Sequence, residues 1–213
     1  MKKIKFLSFC IYAASSFCLF SAKAGIATSL MQTAPVKAPG EYEANIHVDA
    51  LFNRGGGLNI SPHFQTGFIE NYLDGEVFFG TGKTDVVLGA QAKFNLLPDI
   101  DGQVGLSFLG GLTFIRDDYT KKNAAKKDTN FFVLGLGTVV SKKLEVNFGH
   151  ISPYAALQIE PVFYADDSYV PVTLIAGAQW NFEQLEHWVF YSEMGISLRS
   201  SLYTLGLGVG HQF

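Results

Sequence analysis

The chain has 213 residues, a length that suggests one domain or two small ones. Four of its 16 Lys and Arg residues lie within residues 1–24, which contain no Asp or Glu, so the rest carries 12 basic against 19 acidic residues, and this balance argues against nucleic acid as a partner. Beyond residue 24 no run of 18 apolar residues occurs, so we expect no membrane helix, and a chain that spans a membrane must then do so as a barrel.

The N-terminus has the three parts of a secretory signal peptide. Lysines lie near its start, residues 6–20 are apolar, and "SAKA" ending at Ala24 is a small-x-small cleavage site. We therefore predict a cleaved signal peptide over residues 1–24. A lipoprotein signal anchored at Cys18 is the alternative, which the bulky residue before that cysteine disfavours. Both cysteines, Cys10 and Cys18, precede the cleavage site, so the exported chain would have no thiol chemistry.

Residues 25–40 contain two prolines and show no periodicity, which predicts a flexible periplasmic lead-in. From residue 41 to residue 213 apolar and polar residues alternate between turn signals. Successive side chains of a strand point to opposite faces, so the apolar set of each run forms one face. The predicted strands are 43–52, 57–68, 76–82, 85–97, 103–115, 130–140, 150–164, 169–182, 187–199 and 201–213.

These ten runs predict an all-β fold, a closed antiparallel up-and-down transmembrane β-barrel over residues 41–213. Eight strands are the alternative, if the second and third runs merge with neighbouring segments. The outward sets hold essentially no charge at mid-depth, where a Lys or Arg would cost roughly 2–4 kcal/mol. With both chain ends in the periplasm, the polar segment 116–129 becomes an extracellular loop, and the turns at 98–102 and 141–143 face the periplasm.

The inward positions carry charges of both signs and several histidines. Because unpaired buried charge is costly, we expect these groups to pair and to plug a narrow lumen. A thin water-filled path lined by the same groups is the alternative. No cofactor is predicted, and a metal site at His47 and His63 is disfavoured because strand positions alone fix no ligand geometry. The predicted lumen-lining residues are Glu43, His47, Asp49, His63, Lys93, His150, Glu160, Glu193 and Arg199.

One stretch, "GTGKTD" at residues 80–85, ends like a phosphate-binding loop. The loop motif needs a glycine where Val77 stands, and it needs a helix afterwards, whereas a strand pattern follows. The stretch is therefore interpreted as a hairpin turn.

The stretch "GHIS" with Glu160 resembles the His-x-Ser and Glu of lipid A deacylases, which are small outer-membrane barrels. The resemblance implies acyl transfer by Ser152, with His150 as base and Glu160 orienting it. Pro153 follows the serine where that family has Asn, and all three groups are predicted to face inward. A polar network in the lumen is the favoured interpretation, and no enzymatic activity is predicted.

The last run, "SLYTLGLGVGHQF", places three glycines on one face and apolar residues on the other. Such a strand with a terminal Phe is similar to the assembly signal of bacterial outer-membrane β-barrels, OmpA/OmpX-like or porin-like, from which His211 departs. The resemblance implies a place in the bacterial outer membrane, with its lipid and the barrel-assembly machinery as partners. The predicted assembly signal comprises Tyr203, Leu205, Leu207, Val209 and Phe213.

Together these features predict an outer-membrane barrel with a structural or surface-interaction role and a largely plugged polar lumen. A narrow porin-like channel for small solutes is the first alternative. A lipid A-modifying enzyme is the second. The composition of the predicted loop at 116–129 does not indicate which partner it would bind.

Overall fold

A computed structural model describes residues 30–52, 56–100, 102–119, 127–164, 167–199 and 203–213. No helix in these ranges is long and apolar enough to cross a membrane. The described strands are β1 (Tyr42–Leu51), β2 (Gly57–Ile69), β3 (Leu73–Gly82), β4 (Val86–Leu97), β5 (Gly105–Tyr119), β6 (Lys127–Ser141), β7 (Leu144–Val146), β8 (Gly149–Ile159), β9 (Val162–Tyr164), β10 (Asp167–Tyr169), β11 (Val172–Phe182), β12 (Trp188–Arg199) and β13 (Thr204–Gln212).

The strands close into a single ring. Each strand from β1 to β5 pairs with the next. β6 pairs with β8, and the ring continues through β11, β12 and β13 back to β1, with every pair antiparallel. The predicted ten-stranded up-and-down barrel is therefore confirmed, and the eight-stranded alternative is wrong. A closed ring leaves no unpaired strand edge, which a membrane interior requires.

The three remaining strands extend members of the ring. β7 continues β6 in the same register against β8, β9 continues β8 against β6, and β10 leads into β11. The last two breaks fall at Pro161 and Pro171. Proline has no N–H to donate, so a ladder loses a bond where it occurs.

The strand boundaries differ from prediction at several places, two of which matter for the lumen and the loop region. β3 begins at Leu73, three residues earlier than predicted. β5 and β6 remain paired from Arg116↔Asn130 to Tyr119↔Lys127, so strand occupies both ends of the segment predicted as the loop 116–129. Polar composition suggested a loop there, but the outer ends of barrel strands extend beyond the apolar band and tolerate polar residues.

Burial alternates along the strands as a barrel requires. In β1, Glu43, Asn45, His47 and Asp49 are buried, whereas the intervening Ile46 is 49% exposed. Most exposed positions at mid-strand are apolar, as a lipid-facing surface must be, because polar groups there would lose their hydrogen bonds to water. The apolar exterior is represented by Ile46, Val48, Ile60, Val77, Leu88, Leu112, Leu134, Leu157, Leu174, Met194, Leu205 and Leu207.

The barrel has two distinguishable ends. At the terminal end, Tyr42 and Phe213 exchange backbone hydrogen bonds of 3.0 Å, and their rings stack at 6.0 Å. Tyr42 also stacks on Phe64. The opposite end, called the loop end here, carries the β5–β6 hairpin. Aromatic pairs also occur near that hairpin, where Phe114 contacts Phe132, and aromatic residues near both ends are typical of outer-membrane barrels.

Candidate functional site in the barrel lumen

The lumen contains the segment that precedes β1. Residues 30–38, called the plug here, enter from the terminal end, and residues 30–34 are buried. A flexible periplasmic lead-in was predicted over residues 25–40. For the buried residues 30–34 the predicted flexibility is wrong. Their apolar side chains pack on the inner wall, and their backbone forms hydrogen bonds with polar side chains of that wall. Residues 25–29 and the predicted signal peptide 1–24 lie outside the described residues.

One side of the plug is fixed by a carboxylate of β12. The backbone N–H groups of Leu30 and Met31 donate to Glu193 at 2.9 and 2.6 Å. The hydroxyl of Tyr154 donates to the same carboxylate at 2.7 Å. Glu193 is buried, and hydrogen bonds from these three donors replace the hydrogen bonds to water that its carboxylate loses. This carboxylate is therefore the hydrogen-bond acceptor that holds the backbone of the plug.

The other side of the plug is fixed across the lumen. Ser107 donates to the carbonyl oxygen of Ala34 at 2.5 Å, and the N–H of Ala34 donates to Ser141 at 3.0 Å. Lys93 donates to the carbonyl oxygen of Thr33 at 3.1 Å. These residues belong to β4, β5 and β6, whereas Glu193 lies in β12. The plug thus crosses the lumen from wall to wall.

The glycine face of β13 is explained by the plug. A Cβ atom at Gly208 would lie 2.8 Å from both Cδ2 of His47 and Sδ of Met31. A Cβ atom at Gly206 would meet Met31 and Asp49. The side chain of Met31 therefore lies against a surface that only glycine leaves open. The sequence displayed this bare face but did not indicate what fills it.

Polar groups on β1 to β4 pair with one another. Lys93 lies 3.2 Å from Asp74, which also accepts a hydrogen bond from Gln65 at 2.8 Å. His63 bonds to Glu76, and the rings of His63 and His47 lie with their centroids 3.9 Å apart and their planes tilted by 33°. Asp74 was not among the predicted lumen residues, because the third strand was predicted to begin at residue 76, and Glu76 was not among them although it lies within that predicted strand. Their alternate spacing was the available signal.

The structure brings most of the predicted lumen residues to the inner face. Half-buried His150 lies near the terminal end, and exposed Arg199 lies where β12 ends at the loop end. In the described part of the chain, no group of three or more His, Cys, Asp or Glu residues is arranged to hold a metal ion. The buried members of the predicted set are Glu43, His47, Asp49, His63, Lys93, Glu160 and Glu193.

The residues that resemble the lipid A deacylase motif do not come together. His150 and Ser152 lie near the start of β8, and Glu160 follows its end. At about 3.3 Å per residue along a strand, His150 and Glu160 are separated by roughly 30 Å. A glutamate at that distance cannot orient the histidine of a triad.

The loop end of the lumen is lined differently. Inward side chains of β5, β6, β9 and β10 form an apolar cluster of buried residues, against which Val87 and Tyr164 pack. Apolar side chains are stabilised by packing against one another, so they need no hydrogen-bond partner. The cluster consists of Ile115, Phe131, Val133, Val162 and Tyr169.

No family model matches the chain, and no curated protein matches it in sequence. Among solved structures, the chain is similar to the β domain of the Bordetella autotransporter BrkA, with 11% identity, a TM-score of 0.47, and coverage of 81% of this chain and 98% of that one. The corresponding values are 10%, 0.38, 85% and 100% for the outer membrane protein Omp33 of Acinetobacter baumannii. They are 13%, 0.40, 81% and 88% for the translocator domain of the autotransporter NalP from Neisseria meningitidis. By its own ring of ten antiparallel strands, apolar exterior and polar interior, the chain is a β-barrel of the outer-membrane type.

Proposed function

We propose that this protein is an integral barrel of the bacterial outer membrane whose own N-terminal segment closes its lumen. Its role is structural or one of surface interaction, rather than that of an open pore. The observation that carries the proposal is the burial of residues 30–34 between opposite walls. A ten-stranded barrel has little free interior, so one extended segment across it blocks the passage of solutes.

A narrow channel gated by the plug is the second candidate. The polar groups of β1 to β4 favour it, because Lys93, Asp74 and His63 could line a path for water and small ions once the plug leaves. The two candidates differ only in whether the plug is released. Conductance measured with and without the plug separates them.

The test is a planar-bilayer recording of the purified, refolded protein. We expect the wild-type barrel to be silent and a variant lacking residues 30–38 to show discrete conductance steps. Wild-type steps as large as those of the deletion variant would contradict closure by the plug. Frequent wild-type openings to the deletion level would instead support the gated channel.

A cysteine pair covers the case in which the deletion variant fails to fold. The N–H of Ala34 lies 3.0 Å from Oγ of Ser141, so cysteines at these positions should cross-link when the plug is in place. The variant combines Ala34→Cys with Ser141→Cys in a chain otherwise free of cysteine after residue 24. Efficient cross-linking in membranes is expected. If the folded double-cysteine barrel is treated with oxidant and no cross-link forms, the result would contradict the position of the plug in the lumen.

The proposal also assigns the last strand a role in assembly. Leu205, Leu207 and Phe213 are exposed on the outer face, where the assembly machinery could bind them. We expect Phe213→Ala to lower the amount of inserted, heat-modifiable barrel in cells while refolding in vitro persists. Phe68→Ala, at a similarly exposed phenylalanine, is the matched control. Equal insertion of both variants would argue against an assembly signal at Phe213.

A further inference from the structure

Three polar side chains of the inner wall are joined by hydrogen bonds in a row. Oγ of Ser61 lies 3.0 Å from Nε2 of His63 on β2, and Nδ1 of the same imidazole bonds to Glu76 on β3. A carboxylate can only accept a hydrogen bond, so the proton lies on Nδ1 and Nε2 accepts from the hydroxyl. These three residues, called the triad here, follow the order of a nucleophile, its general base and the group that orients the base.

Neighbouring side chains hold the base and the carboxylate of the triad in place. The ring of His63 is flanked by that of His47 on β1 and that of Phe78 on β3, with centroids 3.9 and 5.0 Å away. Nε2 of Gln91 donates to the second carboxylate oxygen of Glu76 at 3.0 Å. Catalytic groups are most effective when packing and outer hydrogen bonds fix their orientation in advance. The triad has both kinds of support.

The serine is the least buried member of the triad. The exposed fraction rises from 4% for Glu76 through 6% for His63 to 9% for Ser61. A Cβ atom at Gly80 would lie 3.2 Å from Cβ of Ser61, so glycine leaves that side of the serine uncovered. His47 is the direct partner of Ser61 in the β1–β2 pairing, and an imidazole N–H there can donate to the oxygen of a carbonyl under attack. The surroundings of the hydroxyl therefore suit a small acyl group.

The plug lies beside the triad. Cδ2 of His47 and Sδ of Met31 both lie 2.8 Å from the place that a Cβ atom at Gly208 would take, so Met31 is a neighbour of His47. Both side chains are fully buried. Release of the plug would remove Met31 from this side of the lumen and open a path to the paired histidines.

We propose that Ser61, His63 and Glu76 hydrolyse water-soluble carboxylic esters with short acyl chains when the plug is released. Oγ of Ser61 bonds to the carbonyl carbon of the ester while its proton passes to Nε2 of His63. The C–O bond to the alcohol then breaks, and the alcohol leaves with that proton. A water molecule attacks the acyl-serine in the same way, which releases the acid and restores the hydroxyl.

The class of substrate follows from the lumen. A ten-stranded barrel has a narrow interior, and the wall around the triad is polar, so a short acyl group fits where a lipid chain does not. The activity rests on the proposed closure, because a substrate reaches the triad only after the plug leaves.

The first test is labelling of the refolded barrel with a fluorophosphonate, which forms a stable adduct with an activated serine. The detergent must contain no ester bond. Mass spectrometry should locate the adduct on Ser61, and labelling should be about tenfold faster without residues 30–38, because the wild-type lumen is mostly closed. Met31→Ala keeps the full chain, covers the case in which the deletion variant fails to fold, and should also be labelled faster than the wild type.

Hydrolysis of p-nitrophenyl acetate in the Met31→Ala background separates the roles of the triad members. Ser61→Ala and His63→Gln should each lower kcat by about 100-fold or more. Glu76→Gln should lower kcat and leave KM unchanged, because this carboxylate orients His63 and does not contact the substrate. The matched control is Ser152→Ala, at another buried serine of the wall, on β8, which should keep the full rate.

The outcomes distinguish this activity from closure by the plug. A plug-deleted barrel that conducts but is not labelled would overturn the activity and leave closure intact. An adduct on another serine, or equal hydrolysis by the Ser61→Ala and Ser152→Ala variants, would overturn the assignment of Ser61. A wild-type barrel that conducts like the plug deletion and is labelled as fast on Ser61 would overturn closure and support the activity.

Discussion

Two parts of the inner wall fill the lumen in different ways. The polar wall, formed by β1 to β4 and β12, presents ion pairs, histidines and the carboxylate of Glu193. The apolar wall, the cluster that includes Ile115, Phe131 and Val162, packs against itself near the loop end. The polar wall depends on specific partners, because each of its buried groups needs a hydrogen bond. The apolar wall is stabilised by close packing, which depends only on the shape and volume of its side chains.

The difference indicates where the barrel can open. Removing the plug from the polar wall exposes groups that water can solvate, so the polar wall can exist in a closed and a hydrated form. Opening the apolar wall would expose hydrophobic side chains with no compensating hydrogen bonds. We therefore infer that the plug controls access to the polar part alone, and that substitutions in the two walls have different consequences.

The largest effect is expected from Glu193→Ala in the polar wall. The substitution leaves the N–H groups of Leu30 and Met31 buried without their acceptor, a loss of about 2–6 kcal/mol for the two groups. Urea unfolding in lipid vesicles should show this loss, and bilayer recordings should show conductance. Glu145→Ala, at a glutamate that is 74% exposed, is the control and should change neither. A silent Glu193→Ala barrel would argue against the role of this carboxylate.

An intermediate effect is expected from Gly208→Ala, on the face of β13 that receives the plug. The added Cβ lies 2.8 Å from Met31 and His47, and such overpacking costs about 1–3 kcal/mol. Because Met31 can move with the plug, we also expect brief conductance openings. Gly110→Ala is the control, since its Cβ would meet only the ring of Phe108, at 3.9 Å. Identical recordings for both variants would contradict contact between the plug and β13.

The smallest effect is expected from Ile115→Val in the apolar wall. Loss of one buried methyl group should lower the free energy of unfolding by about 0.5–1.5 kcal/mol. Conductance should stay at the wild-type level, because this wall does not hold the plug. Ile46→Val, on the lipid-facing side, is the control and should have a smaller effect. Openings in Ile115→Val comparable to those of Gly208→Ala would remove the distinction between the walls.

The same contrast explains how much of the fold the sequence predicted. In β1, charged and apolar residues alternate so regularly that both faces could be assigned before the structure was known. In β6, inward Phe131 and Val133 adjoin outward Phe132 and Leu134, so hydrophobicity does not separate the faces. The ring itself was predictable because strand count and turn signals do not depend on the lumen.

The plug was not predictable from local pattern. An extended segment that bonds through its backbone has no periodicity, and prolines in it suggest a loop. Its partners lie far away in the sequence: Leu30 and Glu193 are 163 positions apart. What the sequence did show was the complementary surface, three glycines in β13 and a buried acid in β12, without indicating that another part of the chain occupies it.

Recognition through the backbone has an evolutionary consequence. Bonds to the N–H groups of Leu30, Met31, Ala34 and Lys37 do not depend on those side chains, so many substitutions preserve them, but proline at these positions removes a donor. Of the natural prolines, Pro35 lies between two of those donors and Pro39 follows the last of them. Plug sequences should therefore diverge among descendants of this protein faster than Glu193, Ser141 and Asp74, the wall residues that accept these backbone hydrogen bonds.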